Sequence, residues 1–149
     1  MFNRFGSSPS SMTGGSQMER LSHEAGWTPD ARNGYCIAHS FQGDHVTSRR
    51  DVIIAHPPNH PFATFSCACR ARFAAQTMTP PQLAFFLSRN SESVFGKWQI
   101  ALENDLVTAD LRYTALVGGL DAEHYRLICM GLVSEVAIVE ATLRSQGML

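Results

Sequence analysis

Residues 97–113 read KWQIALENDLVTADLRY, and large apolar residues alternate in this stretch with polar or small ones. Because successive side chains of a strand point to opposite faces, the alternation predicts two β-strands with one apolar face each. A two-residue turn at Asn104-Asp105 makes them an antiparallel hairpin, which pairs Leu102 with Val107, Ile100 with Ala109, and Trp98 with Leu111. A slip by one residue would scatter the bulky side chains over both faces, so the hydrophobic pattern favours this register.

A long helix is predicted after the hairpin. Gly118-Gly119 ends the second strand, and the carboxylate of Asp121 can accept hydrogen bonds from the free amides of the first helical turn. One apolar face then follows the spacing of three and four residues that is typical of a helix: Tyr125, Ile128, Cys129, Leu132, Val136, Val139 and Leu143. The charged residues are predicted to form a narrow polar edge: Glu123, Arg126, Glu135, Glu140 and Arg144.

A second face of this helix is also largely uncharged. It carries Gly131 together with Leu127, Met130, Ser134 and Ile138. The helix therefore has more apolar surface than a single sheet face can cover. Two interpretations stay open: a core helix covered on both sides, or a surface for self-association. In the second interpretation, the helix binds its partner through Leu127, Met130, Ser134 and Ile138.

Three more strands are predicted before the hairpin, at residues 35–41, 51–55 and 62–72. The middle strand has three consecutive branched apolar residues, which suits a strand buried on both faces. Residues 56–61 include three prolines, which cannot donate to a ladder, so this segment is predicted to be a loop. In the third strand, one face is formed by Ala63, Phe65, Cys67 and Cys69.

Two more helices complete the predicted fold. A short helix near the start places Met18, Leu21 and Ala25 on one face. Residues 79–82, TPPQ, form a capping box that opens the other helix. Its buried stripe is predicted to be Leu83, Phe86 and Leu87. The predicted fold is therefore α+β, a five-stranded, mainly antiparallel sheet with helices packed on it, in the order α-β-β-β-α-β-β-α.

Length and composition predict one domain and exclude several partners. The chain has 149 residues, of which 44% are hydrophobic, enough for one core. Residues 1–17 are rich in serine and glycine and are predicted to be a flexible tail, so the single domain spans 18–147. A net charge of −1 makes a nucleic-acid partner unexpected. No apolar run approaches a membrane span, and the start lacks a secretory signal, so a cytoplasmic location without a membrane partner is predicted.

The C-terminal half also carries a family resemblance. It lies in Leu87 and Asn90, in Phe95-Gly96-Lys97-Trp98 at the strand start, and in Gly119-Leu120 before the terminal helix. These residues and the element order resemble the YbjN-type proteins, described as bacterial sensory transduction regulators, and their structural relatives, the type III secretion chaperones. The resemblance implies a non-enzymatic protein without a cofactor, usually dimeric, that binds other polypeptides on helical or sheet surfaces.

Cysteine and histidine residues offer an alternative. Cys67 and Cys69 share one strand face, and His56 and His60 flank the preceding loop. A small metal-binding protein or metal-dependent enzyme could use these four side chains. However, thiols two residues apart on a strand project in parallel, whereas structural zinc sites usually take their thiolate pair from a tight turn. We therefore favour small core residues over metal ligands.

Arginines are a further candidate for binding. Arg49 and Arg50 precede one predicted strand, and Arg70 and Arg72 end its antiparallel partner. If the two strands pair through the loop at 56–61, all four guanidinium groups gather at one end of the sheet. Such a cluster could bind an acidic peptide or a phosphate, although arginines at a solvated strand edge are the commoner case.

The leading hypothesis from the sequence is a homodimeric interaction module, chaperone-like or regulatory, that binds a partner polypeptide.

Overall fold

The computed structural model describes residues 15–42 and 49–149, and residues 1–14 of the predicted tail lie outside this part of the chain. Its helices and strands follow in the order α1 (Gly15–Glu24), β1 (Ala31–Asn33), β2 (Cys36–Gln42), β3 (Arg49–Ala55), β4 (Phe62–Ala74), α2 (Pro80–Glu92), β5 (Lys97–Glu103), β6 (Leu106–Leu116) and α3 (Ala122–Ser145). A 3-10 turn, Val117–Gly119, joins β6 to α3. In the described part of the chain, no helix is long and apolar enough to cross a membrane.

Within the described residues, the sheet has six strands, all paired antiparallel, in the spatial order β1-β2-β3-β4-β6-β5. The prediction of an α+β fold is confirmed, but the prediction of five strands in the order α-β-β-β-α-β-β-α is wrong. The extra strand, β1, has three exposed residues and therefore lacks the apolar alternation by which the other strands are recognised. An ion pair of 2.5 Å between Arg32 and Glu19 ties it to α1.

The hairpin has the predicted register. Leu102 pairs with Val107, Ile100 with Ala109, and Trp98 with Leu111. Asn104 and Asp105 both have positive φ, 50° and 64°, as a two-residue turn between twisted strands requires. Lys97 stands opposite Arg112, as the same register demands.

One face of the sheet carries the core and the other face is open. Along β4, buried residues alternate with partly or fully exposed ones, and the buried set is Ala63, Phe65, Cys67, Cys69, Ala71 and Phe73. The apolar face predicted for α3 is buried against them. As predicted, Asp121 caps α3, accepting a hydrogen bond of 2.8 Å from the His124 amide. No helix of the described residues lies on the opposite face, which is polar.

Two burial predictions need correction. Leu83 and Leu87 of α2 are exposed, and Phe86 alone of the predicted stripe is buried. The reason is that α2 faces the core with Phe86, whose ring packs against Phe73 and Trp98, and with the neighbouring Phe85, which is partly buried. Ile53 of β3 is only partly buried, because its side chain lies on the open face of the sheet.

Helix α3 and the segment before β5 meet at a glycine. A Cβ atom at Gly131 would overlap the ring of Phe95. The ring therefore lies directly on the helix backbone, and it fixes the connection from α2 to β5.

We expect Gly131→Ala to lower the free energy of unfolding by about 1–3 kcal/mol, because the added methyl group must displace the Phe95 ring. Urea denaturation measures the change. Gly118→Ala is the matched control, since a Cβ there meets nothing within 4 Å. Equal effects of the two substitutions would contradict the described contact.

Candidate interaction surface

The second face of α3 is exposed. Exposed fractions are 52% for Leu127, 46% for Met130 and 59% for Ile138, and Ser134 is exposed as well. Their spacing of three or four residues aligns them along one side of the helix. We call these four residues the α3 stripe. The interpretation of α3 as a helix covered on both sides is therefore wrong for the single chain.

The α3 stripe borders two grooves. The strand-edge groove, about 400 Å³, lies between β6 and the start of α3, and Leu116, Leu120 and Leu127 contribute to its walls. The inter-helix groove, about 340 Å³, lies between the end of α2 and the middle of α3 and is lined by Arg89, Ser134 and Ile138 among others. Val94 and Phe95 line both grooves. The stripe thus presents apolar surface to two recesses that share the segment before β5.

Other apolar residues, outside α3, are also exposed. Val94 is 80% exposed, and Leu83 and Leu87 are exposed on α2. Sequence reasoning missed Val94 because an isolated apolar residue between a helix and a strand has no periodicity. For Leu83 and Leu87, the helical spacing was visible, but the sequence does not reveal which side of α2 faces the core.

The predicted arginine cluster is divided between the two faces of the sheet. Arg49, Arg70 and Arg72 are exposed and line a shallow depression of about 590 Å³ on the open face. Arg49 pairs with Asp51 at 3.2 Å, and the Arg70 guanidinium donates to the Arg49 carbonyl. Arg50 points the other way, because neighbouring residues of a strand alternate in direction. The prediction that all four guanidinium groups gather is therefore wrong.

Arg50 forms a buried ion pair with Glu140. Its Nη2 lies 2.6 Å from the Glu140 carboxylate, and the two side chains are 4% and 0% exposed. The Arg70 amide donates a second hydrogen bond of 2.9 Å to this carboxylate. The prediction that Glu140 lies on a polar edge of α3 is wrong, since its carboxylate compensates the guanidinium that β3 directs into the core.

We expect Glu140→Gln to lower the free energy of unfolding by about 3–5 kcal/mol, because it leaves the Arg50 charge buried without a counterion. Adding Arg50→Met should recover part of this loss, since the double variant no longer buries a charge. Denaturation in guanidinium chloride measures the free energy of unfolding of the single and the double variant. The control is Glu92→Gln in the exposed pair with Arg89, for which a change within about 0.5 kcal/mol is expected. If Glu140→Gln lowers the free energy of unfolding as little as Glu92→Gln does, Glu140 is not the required counterion of Arg50.

The residues of the metal hypothesis do not converge. Burial raises the pKa of Cys67 to about 12 and that of Cys69 to about 11, so both thiols carry their proton near neutral pH. The His56 ring lies 2.8 Å from the carbonyl oxygen of His60 and donates to it within the loop. Within residues 15–42 and 49–149, no group of three or more His, Cys, Asp or Glu could hold a metal ion.

A buried polar cluster was not foreseen from the sequence. His39 Nε2 lies 3.1 Å from the Ser22 hydroxyl and 2.9 Å from the Tyr125 hydroxyl. Ser22 also donates to the Trp27 carbonyl at 3.0 Å. The serine and tyrosine are fully buried, so no solvent-borne substrate reaches them. The cluster joins α1, β2 and α3, and its role is structural.

The buried histidine makes stability depend on pH. Burial lowers the pKa of His39 below its ordinary value of 6.5, more strongly than Asp30 and the hydrogen bond to Thr28 raise it. The unfolded chain therefore binds a proton more readily than the folded one, and acid favours unfolding. Stability from this group is complete above pH 6.5 and is lost as the pH falls through and below that value.

We expect the free energy of unfolding to fall between about pH 7 and pH 5, and His39→Gln to flatten this dependence. Urea denaturation at several pH values across this range measures the free energy of unfolding. His60→Gln is the control, because that side chain is exposed and is not among the groups that shift the pKa of His39, and it should leave the slope unchanged. An identical slope in His39→Gln and the native chain would show that His39 is not the responsible group.

Comparisons with known proteins identify the fold of the chain but not its family. No protein-family model matches the chain, and no curated protein matches it. Among solved structures, it is similar to a chain in the crystal structure of the ExsC–ExsE complex, with a TM-score of 0.56 and 13% sequence identity. The similarity covers 87% of this chain and 96% of that chain. The six-stranded sheet with its three helices is thus a known α+β architecture.

Proposed function

We propose that this chain is a non-enzymatic, chaperone-like or regulatory protein that forms a homodimer and binds a partner polypeptide in the cytoplasm. The observation that carries the proposal is the exposed α3 stripe with its two grooves. Three apolar side chains, each about half exposed and aligned on one helix, form a contiguous surface of the kind that marks interaction sites.

The fold supports the same function. The similar chain was crystallised in a complex of two named proteins, ExsC and ExsE. This similarity supports the resemblance to type III secretion chaperones, whereas the resemblance to YbjN-type proteins stays a prediction. Because one fold hosts several functions, the proposal rests on the surface and only secondarily on the fold.

We assign the inter-helix groove to the second copy of the chain. It combines Val94 with Ile138 and Ser134, and its rim carries Arg89 and Glu92, which are bonded to each other at 2.9 Å. An apolar centre with a polar rim is typical of interfaces between protein chains. The other end of the α3 stripe, at Leu127, then remains available to a partner polypeptide.

We expect light scattering to give twice the chain mass of 16.4 kDa for the native protein, and a single chain mass for Met130→Glu/Ile138→Glu, because two buried carboxylates would oppose association. Leu102→Glu is the matched control. Leu102 is equally apolar and 66% exposed, but it lies beside the hairpin turn, so this variant should stay dimeric.

Two outcomes would contradict the proposal. One is a native protein that stays monomeric at high micromolar concentration and retains no polypeptide from a lysate of its native host. The other is loss of the dimer in Leu102→Glu but not in Met130→Glu/Ile138→Glu.

A further inference from the structure

The outer strand of the hairpin is shorter than the strand it covers. Lys97, the first residue of β5, pairs with Arg112, whereas β6 continues to Leu116. Residues 113–116 therefore have β4 on one side and no strand of the described chain on the other. At the start of β5, Gly96 is packed so closely on the Arg112 carbonyl that even a Cβ would overlap it.

Hydrogen bonds at Trp98 show which backbone groups this edge presents. Both the amide and the carbonyl of Trp98 bond to the side chain of Asn90, at 2.5 and 3.2 Å, on the side of β5 away from β6. Trp98 and Leu111 are thus a non-hydrogen-bonded pair, and the neighbouring Arg112 points its amide and carbonyl towards β5.

The same alternation continues along β6. Thr114 points its amide and carbonyl to the uncovered side and Leu116 points its amide there, while the Leu116 carbonyl opens the 3-10 turn at Val117–Gly119. A further hydrogen bond supports this orientation. The Val117 amide donates to the Pro61 carbonyl at 2.9 Å, so Val117 points towards β4 and its neighbour Leu116 points its amide to the uncovered side. The row of unpaired groups is a template for one added strand.

The strand-edge groove lies beside these groups and sets the side-chain pattern of an added strand. Tyr113 and Ala115 face the helices, so residues of an added strand opposite them point into the groove. Its walls there are apolar and include Phe95, Leu127 and Ile128. Two apolar residues, separated by one, fit this recess.

Charge on the open face of the sheet determines which residue of the added strand fits between its two apolar residues. Lys97 and Arg112 stand opposite each other, and a like-charged pair in that position is unfavourable. Asp110 balances only one of these charges, through its ion pair with Arg112, while the Lys97 ammonium donates to the Asn90 carbonyl at 2.7 Å. A residue opposite Thr114 lies diagonal to Arg112 on the same face, where an acidic side chain complements the remaining positive charge.

We propose that residues 113–116 and the strand-edge groove bind an extended segment of the partner polypeptide as a seventh, antiparallel strand. The segment carries the pattern apolar, acidic, apolar opposite Ala115, Thr114 and Tyr113. This inference rests on the proposed function, because it names the kind of segment that a partner polypeptide would insert.

The test uses the full chain and the synthetic peptide acetyl-Ser-Thr-Val-Glu-Val-amide, titrated to millimolar concentration while NMR follows the protein amides. Saturable shifts and slowed hydrogen exchange are expected at Thr114 and Leu116. N-methylation of the glutamate should weaken binding about tenfold or more, because its amide and carbonyl bond to Thr114. N-methylation of the preceding valine, whose amide points away from β6, should change affinity by less than about threefold.

Protein variants locate the site. Leu127→Glu should abolish peptide binding, since it places a carboxylate in the apolar wall, whereas Leu102→Glu beside the hairpin turn, outside both grooves, should leave it unchanged. The absence of saturable shifts at Thr114 and Leu116 would overturn the inference, as would equal losses with both N-methylated peptides. So would shifts of these amides with protein concentration alone, which would make a second copy the occupant.

Failure of this inference is distinguishable from failure of the proposed function. A dimer that binds its partner but not the peptide would refute the added strand alone. A monomer without a partner that still binds the peptide at Thr114 would refute the proposed function and leave the strand-edge groove as a peptide site.

Discussion

The packing of α3 on the helix-covered face of the sheet is the constraint on which the rest of the structure depends. Along β4, a small or apolar side chain points to this face at every second residue, and the buried face of α3 covers that row. Because 24 residues of helix are held along one side only, their opposite side must face solvent or another molecule. The exposed α3 stripe follows from that geometry and not from a local irregularity.

Two polar contacts keep this packing in a single arrangement. The Arg50–Glu140 pair joins β3 to the end of α3, and the Ser22–His39–Tyr125 cluster joins its start to α1 and β2. Both are buried, so a shifted helix would leave charged or polar groups without partners. Between them, the close contact of Phe95 with Gly131 divides the exposed surface into two grooves. The division places two separate recesses along one helix.

Sequence reasoning predicted the features that repeat and missed those that depend on a single tertiary contact. The hairpin register and the buried face of α3 have strong periods of two and of three to four residues, and both are confirmed. Strand β1 has no apolar pattern of its own, since its pairing with β2 and one ion pair to α1 define it. Glu140 and Arg50 looked like surface charges because each needs the other, 90 residues away, to be buried. For the candidate site, the α3 stripe was predicted residue by residue, whereas the open edge of β6 depends on where β5 ends in space.

In the proposed function, the α3 stripe is covered by another polypeptide in the assembled protein. Methyl NMR of methionine-labelled protein with a soluble paramagnetic agent tests it directly. Met130 reports on the stripe, and Met18, which is 1% exposed in the core, serves as the internal reference. The Met130 methyl group is expected to be protected at high protein concentration and to be broadened by the agent on dilution, while Met18 stays protected throughout. A Met130 signal equally broadened at all concentrations, with or without the partner polypeptide, would contradict it.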